Sequence, residues 1–155
     1  MQVETFEFGE LVRDVCAELE ETAHAKGLAF AVEIPEAPLT VNADPIRIAQ
    51  VLRNLVENAV RHGEGIVTLT IGPLDGGAVI TVSDQGAGIP EATATRVFTR
   101  FWRGGDRRGG TGLGLYIVKG LVEAHGGSVA VGRAEGGGAQ FRFVLPAGTP
   151  SFLME

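Results

Sequence analysis

Over residues 8–26 the apolar positions Leu11, Val12, Val15, Cys16, Leu19 and Ala23 recur at spacings of three and four. That period predicts an amphipathic helix closed by Gly27. Residues 28–34 and 39–42 read as short strands around a turn bounded by Pro35 and Pro38. Asp44 then stands as an N-cap with Pro45 at the first helical position, opening a second helix that reaches about His62. Two β-rich runs, 66–72 and 78–83, are joined through Pro73 and Asp75-Gly76-Gly77, which reads as a hairpin with a longer loop. A short helix is predicted near 91–100, a loop over 102–111, and a third main helix from about 113 to 125, where Gly126 and Gly127 stop it. Two alternating strands, 128–131 and 140–145, flank Gly136-Gly137-Gly138 and precede a tail after Pro146. Consecutive antiparallel strands with helices on one face predict an α+β two-layer sandwich.

The chain has 155 residues, the size of one domain. Its 45% hydrophobic and 21% charged residues suffice for a buried core and exclude disordered and fibrous classes. No apolar run approaches the roughly 18 residues of a membrane helix, and the N-terminus carries no basic-then-apolar leader pattern, so the segment is expected to be soluble. The single cysteine, Cys16, cannot form an internal disulfide and fits the cytosol. A net charge of −6 argues against general nucleic-acid binding. The distribution is uneven, however: Arg96, Arg100, Arg103, Arg107 and Arg108 face only Asp106 in their segment, a local charge of +4 suited to an anion. Six of the 23 glycines fall in the eleven residues 104–114.

Four segments carry candidate chemistry. On a helical wheel the second helix gathers Arg47, Gln50, Asn54, Glu57, Asn58 and Arg61 in an arc of about 100°, opposite Ile48, Leu52, Leu55, Val56 and Ala59. The arc also fits a solvated face. Yet Asn54 and Asn58 are poor helix formers one turn apart, away from either cap. An amide oxygen is a neutral hard ligand suited to Mg²⁺, which takes one or two protein groups alongside substrate phosphates. Asp84-Gln85-Gly86-Ala87-Gly88-Ile89-Pro90 is either a tight turn with a capping aspartate or a carboxylate placed to accept from an amino group such as that of adenine. Gly109-Gly110-Thr111-Gly112-Leu113-Gly114-Leu115 runs into a helix, so its N–H groups and the helix dipole form an anion site. It is neither a P-loop nor a Rossmann fingerprint, because no Lys-[Ser/Thr] follows and Ile117 stands where the last glycine belongs. Phe98, Phe101 and Trp102 either pack in the core or anchor a mobile lid whose arginines fold over phosphates.

Together these strings resemble the catalytic ATP-binding domain of sensor histidine kinases, in the GHKL superfamily with the Bergerat fold. Asn54-Leu-Val-Glu57-Asn58-Ala59-Val-Arg61-His62 resembles the family's N box and Asp84-x-Gly86-x-Gly88 its G1 box. Phe98-x-x-Phe101 resembles the F box, and Gly110-x-Gly112-x-Gly114-Leu115 the G2 box. The resemblance implies an α+β two-layer α/β sandwich: a mixed, mostly antiparallel sheet packed against about three helices, with an ATP lid over about residues 90–111 of a single domain, 1–155. It implies ATP and Mg²⁺ as cofactors. Asn58 would ligate the metal, Asn54 and Arg61 would sit near the phosphates, and Asp84 would accept from the adenine amino group. Arg103, with Arg107 or Arg108, would reach the γ-phosphate. His62, Gly86, Gly88, Ile89, Phe98, Phe101, Gly110, Thr111, Gly112, Leu113, Gly114 and Leu115 would complete the nucleotide site.

Departures from the pattern carry information. Arg61 replaces the usual Lys and His62 the commoner Tyr or Phe, while Gly138-Ala139-Gln140-Phe141 replaces Gly-Thr-Thr-Phe and lacks the threonine that contacts adenine through water. ATP-hydrolysing relatives such as type II topoisomerases, and the anti-sigma serine kinases, carry a glutamate four residues before the metal-binding Asn. Here Asn54 stands in that place and cannot act as a general base, which favours phosphoryl transfer to histidine over hydrolysis. The phosphoacceptor histidine of such kinases lies on an upstream helical hairpin, a setting that His24, His62 and His125 lack. The expected partners are therefore that hairpin and, through the full kinase, a response regulator. The full protein is expected to be a homodimeric bacterial membrane sensor, and this segment a monomeric cytoplasmic part without membrane or nucleic-acid contact. The alternatives are a GHKL-type ATPase or serine kinase, and a degenerate interaction module.

Overall fold

The computed structural model describes residues 1–90, 94, 96–98 and 114–147. Its helices start where side chains satisfy free backbone N–H groups. Helix α1 (Phe8–Ala25) follows a short strand, β1 (Glu4–Glu7), and is capped by the Glu7 carboxylate, which accepts from Gly9 N–H at 2.9 Å and Glu10 N–H at 3.1 Å. Leu39 N–H adds a third donor at 3.1 Å. Burial alone would raise the Glu7 pKa, but these three donors and the Arg13 charge outweigh it and hold the carboxyl below its ordinary range.

Asp44 caps α2 (Pro45–His62) as expected, accepting from Ile46 and Arg47 N–H groups at 3.1 and 3.3 Å. Its other oxygen accepts from Gln2 N–H at 2.9 Å, the largest of the interactions that lower its pKa. The face of α2 expected to be apolar is the buried one, with Ile48, Val51, Leu52, Leu55 and Val56 sealed from solvent.

Five strands form the main sheet in the order β2 (Ala29–Glu33), β4 (Ile66–Leu74), β5 (Gly77–Ser83), β7 (Ala139–Leu145), β6 (Ser128–Arg133). Alternate residues Val67, Leu69 and Ile71, Ile80 and Val82, and Phe141, Phe143 and Leu145 are buried. They form one core with α1, α2 and α3 (Gly114–Ala124), as the two-layer expectation requires. Phe8 at the head of α1 meets Phe143 edge-on, ring centroids 6.2 Å apart.

Three expectations are corrected. The strand at 39–42, observed as β3 (Thr40–Ala43), does not share a sheet with β2 but pairs antiparallel with β1, a strand that the pattern of alternation did not reveal. β2 instead lies parallel to β4, so α2 is the crossover between them. Period-two alternation reports which side a strand buries, not which strand it joins. The loop of the β4–β5 hairpin is also shorter than expected: Pro73 pairs with Ala78 inside the ladder, and only Asp75 and Gly76, at φ +49° and +82°, form the turn. Pro73 is tolerated because β2 accompanies β4 only as far as Thr70, so that stretch of β4 lies beyond its second neighbour. The helix expected near 91–100 lies largely outside the described residues.

Candidate nucleotide site

Two layers meet where the end of α2, the end of β5 and the start of α3 converge. Asp84 follows β5 and is half-buried. Its Oδ1 accepts from Gly86 N–H at 2.7 Å, and its own N–H donates to Ala139 O at 3.0 Å. Glycine is required around it because the chain passes so close. A Cβ at Gly63 would lie 2.7 Å from Asp84 Cβ, and one at Gly138 would lie 1.9 Å from Asp84 O and 2.8 Å from its Oδ1. Gly88 combines φ +79° with a Cβ position 2.7 Å from Gly137 O, so the turn after Asp84 also excludes a side chain. Ile89 is half-buried against the core beside it.

Asn54 and Asn58 are both half-buried on α2, one turn apart on one side of the helix. Asn54 Nδ2 donates to Gly114 O at 3.3 Å, which ties it to the N-terminus of α3. Gly63, just after the same helix, touches Asp84. Asn58 therefore lies along α2 between the start of α3 and the Asp84 carboxylate. Arg61 and His62 are exposed on the last turn. Gly114 is exposed and Leu115 half-buried against the core. Phe98 meets Phe141 nearly edge-on, centroids 6.0 Å apart, next to fully buried Val97, so the chain entering the arginine-rich segment is fastened to the core. Phe101, Arg103, Arg107, Arg108, Gly110, Thr111, Gly112 and Leu113 lie outside the described residues, as does Trp102.

Glu57 is the one carboxylate between the two asparagines in sequence. Its charge raises the pKa of Arg53, after the larger contribution of Glu18 of α1, whose carboxylate Arg53 meets at 2.9 Å. His125 is also occupied. Its Nε2 accepts from Asp44 N–H at 3.1 Å, so Nδ1 carries the proton and donates to Leu121 O at 2.8 Å. The ring fastens the end of α3 to the start of α2. Ala139 is buried at the strand position where a threonine was noted as missing, and Gln140 Nε2 donates to Ser83 Oγ at 3.3 Å.

The sequence did not reveal Gly63, Gln85, Gly138 or the Asp44–His125 contact. Gly63 and Gly138 look like turn glycines, and the approach of Asp84 to both, with that of Ala59 O to Gly63, explains them. Among the described residues no group of three or more His, Cys, Asp and Glu could hold a metal. A neutral amide such as that of Asn58 is nonetheless a donor that suits Mg²⁺. No helix among the described residues is long and apolar enough to cross a membrane.

A helix-covered, mostly antiparallel sheet, with a carboxylate turn and an asparagine-bearing helix at one end, defines a class of nucleotide-binding domain. Residues 43–149 match the family described as histidine kinase-, DNA gyrase B-, and HSP90-like ATPase, and the chain belongs to that family. Within it, the chain is an ATP-binding catalytic domain of the sensor histidine kinase type. It is 38% identical over 148 residues to the sensor protein DivL of Caulobacter vibrioides, covering 94% of this chain and 19% of that protein. The catalytic domain of histidine kinase ThkA, in a nucleotide-free form, superposes with a TM-score of 0.87 at 31% identity, covering 95% of this chain and 97% of that one. Full-length ShkA in complex with AMPPNP gives a TM-score of 0.86 at 34% identity, covering 94% of this chain and 31% of that one. The chain spans about a fifth of the length of the first curated relatives it matches.

Proposed function

We propose that residues 1–155 are one domain that binds Mg-ATP and donates the γ-phosphoryl group to a histidine on a helical hairpin of the protein it serves. The observation that carries this reading is the glycine-walled Asp84 carboxylate beside the C-terminal end of α2, with Gly114 of α3 tied to Asn54 further back along the same helix. Asp84 accepts from the adenine amino group. Asn58 presents its amide oxygen to the metal and Asn54 holds the start of α3 in place. Arg61 lies near the phosphates, and the backbone N–H groups leading into α3 receive phosphate oxygens. Mg²⁺, when bound, would supply charge neutralisation at the phosphates. The acceptor nitrogen attacks the γ-phosphorus in line, the bond to the β-bridging oxygen breaks, and ADP leaves. The chain's contribution is position and charge, because Asn54 offers no base for water. Arg103, Arg107 and Arg108, in a lid over about residues 90–111, are assigned to the γ-phosphate on sequence alone.

The relative in complex with AMPPNP, an ATP analogue, supports the nucleotide assignment. The naming of relatives as sensor proteins supports a response regulator as downstream partner; a homodimeric membrane sensor as the whole protein rests on the sequence resemblance alone. Two experiments test the reading. Millimolar Mg-ATP raises the thermal midpoint of this chain, and an unchanged midpoint overturns nucleotide binding. Labelled ATP, mixed with the chain and a separately produced hairpin of the same kinase, labels the hairpin in an acid-labile, base-stable form; label released only as inorganic phosphate marks a hydrolase instead.

A further inference from the structure

The loop that joins α2 to β4 is built around Asp84 rather than around its own turn. Gly63 has extended backbone angles, φ −86° and ψ 178°, which any residue adopts. Its lack of a side chain answers instead to space: a Cβ there would lie 2.5 Å from Ala59 O, 2.7 Å from Asp84 Cβ and 2.9 Å from Asp84 Cγ. Two residues later Gly65 takes φ +71°, and its Cβ position falls 2.1 Å from Gln85 Oε1.

Gln85 occupies that space with a purpose visible in its bonds. Its Oε1 accepts from Ile66 N–H at 2.8 Å, and its main-chain N–H donates to Glu64 O at 3.0 Å. One side chain and one backbone group thus grip the loop at two points, as a neighbouring strand would. On the far side Gly65 O accepts from Ala29 N–H at 3.2 Å, which fastens the same loop to β2. The residue next to Asp84 is therefore bound to the loop that packs against the Asp84 side chain. The carboxylate is held between this loop and Gly138.

We infer that Gln85 and Gly63 are positioning residues that aim the Asp84 carboxylate and thereby set the preference for adenine over guanine nucleotides. The inference rests on Asp84 reading the base, as proposed above. A carboxylate accepts from the amino group of adenine but repels the carbonyl oxygen that guanine carries at the same ring position, so discrimination depends on where the oxygen sits. A displacement at Asp84 affects the base and leaves the phosphate end of the cleft alone.

The test uses the 155-residue chain and three probes, the Mg²⁺ complexes of ATP, GTP and inorganic tripolyphosphate, titrated by calorimetry alongside thermal unfolding. Gln85→Met keeps the length of the side chain and removes its oxygen, Gln85→Glu restores an acceptor, and Gly63→Ala pushes on both Ala59 O and Asp84. Gln85→Met and Gly63→Ala are expected to weaken ATP by about two- to tenfold, the range for one lost hydrogen bond. Tripolyphosphate affinity stays unchanged, the ATP-to-GTP ratio narrows, and Gln85→Glu recovers it. If ATP and tripolyphosphate weaken together in Gln85→Met, or the ratio holds while Asp84→Asn narrows it, the positioning role is overturned and the Asp84 reading stands. If Asp84→Asn itself leaves the ratio unchanged, the base-reading assignment fails and this inference falls with it.

Discussion

Asn54 and Asn58 share one side of α2, but their surroundings differ. The Asn54 amide nitrogen is used on Gly114 O, which makes it a tie between two helices. Among the described residues Asn58 makes no such tie, so in the proposed reading its removal acts on the metal. Asn58→Ala is expected to abolish the Mg²⁺-dependent part of ATP affinity, at least about tenfold, while ATP binding in EDTA stays unchanged. Calorimetry in both conditions measures the difference. The Glu57 charge adds to that of Glu18 in raising the Arg53 pKa, and a structural role is assigned to it. Glu57→Gln therefore leaves any slow ATP turnover of the chain unchanged, and a marked fall in a coupled phosphate-release assay would instead assign it as the base. The asparagines and Asp84 stand out in the sequence because their residue types are costly or unusual where they occur. Gly63, Gly138 and Gln85 do not, because what they satisfy is a contact between segments 19 to 54 residues apart, as with Gln85 and Ile66 or Gly138 and Asp84.

Among elements, the two long helices depend on carboxylate caps. Glu7 and Asp44 each collect three backbone N–H donors, and both are held below the ordinary carboxylate range. A carboxyl depressed in the folded chain contributes stability above its unfolded pKa and loses it as pH falls through the folded one. The thermal midpoint is therefore expected to be level near neutrality with respect to these two groups and to fall below about pH 4. Asp44→Asn and Glu7→Gln should each make the acid limb shallower, as followed by circular dichroism against pH. The three helices among the described residues were legible in the sequence almost to the residue, because period and cap are local. The partners of β1, β2 and β3 were not, since parallel pairing across α2 is decided by which exposed edge each strand meets.

For the whole molecule, the core is continuous from α1 through α2 to the sheet, and Cys16 lies within it. Burial, with the Glu20 charge beside it, pushes the thiol up to about 11. A thiol reagent at neutral pH is expected to modify Cys16 only as fast as the core opens, and saturating Mg-ATP should slow that labelling. Rapid labelling of the native chain would contradict this packing. The order of hydrophobic and polar residues alone determined the two-layer class, the helix boundaries and the residue types offered to nucleotide, because each follows from local geometry and side-chain chemistry. Tertiary structure alone decided which strand lies beside which, why position 63 must be bare, and that His125 serves as a fastening between helices. Those features are set by distances between remote parts of the chain, and a one-dimensional pattern carries no distance.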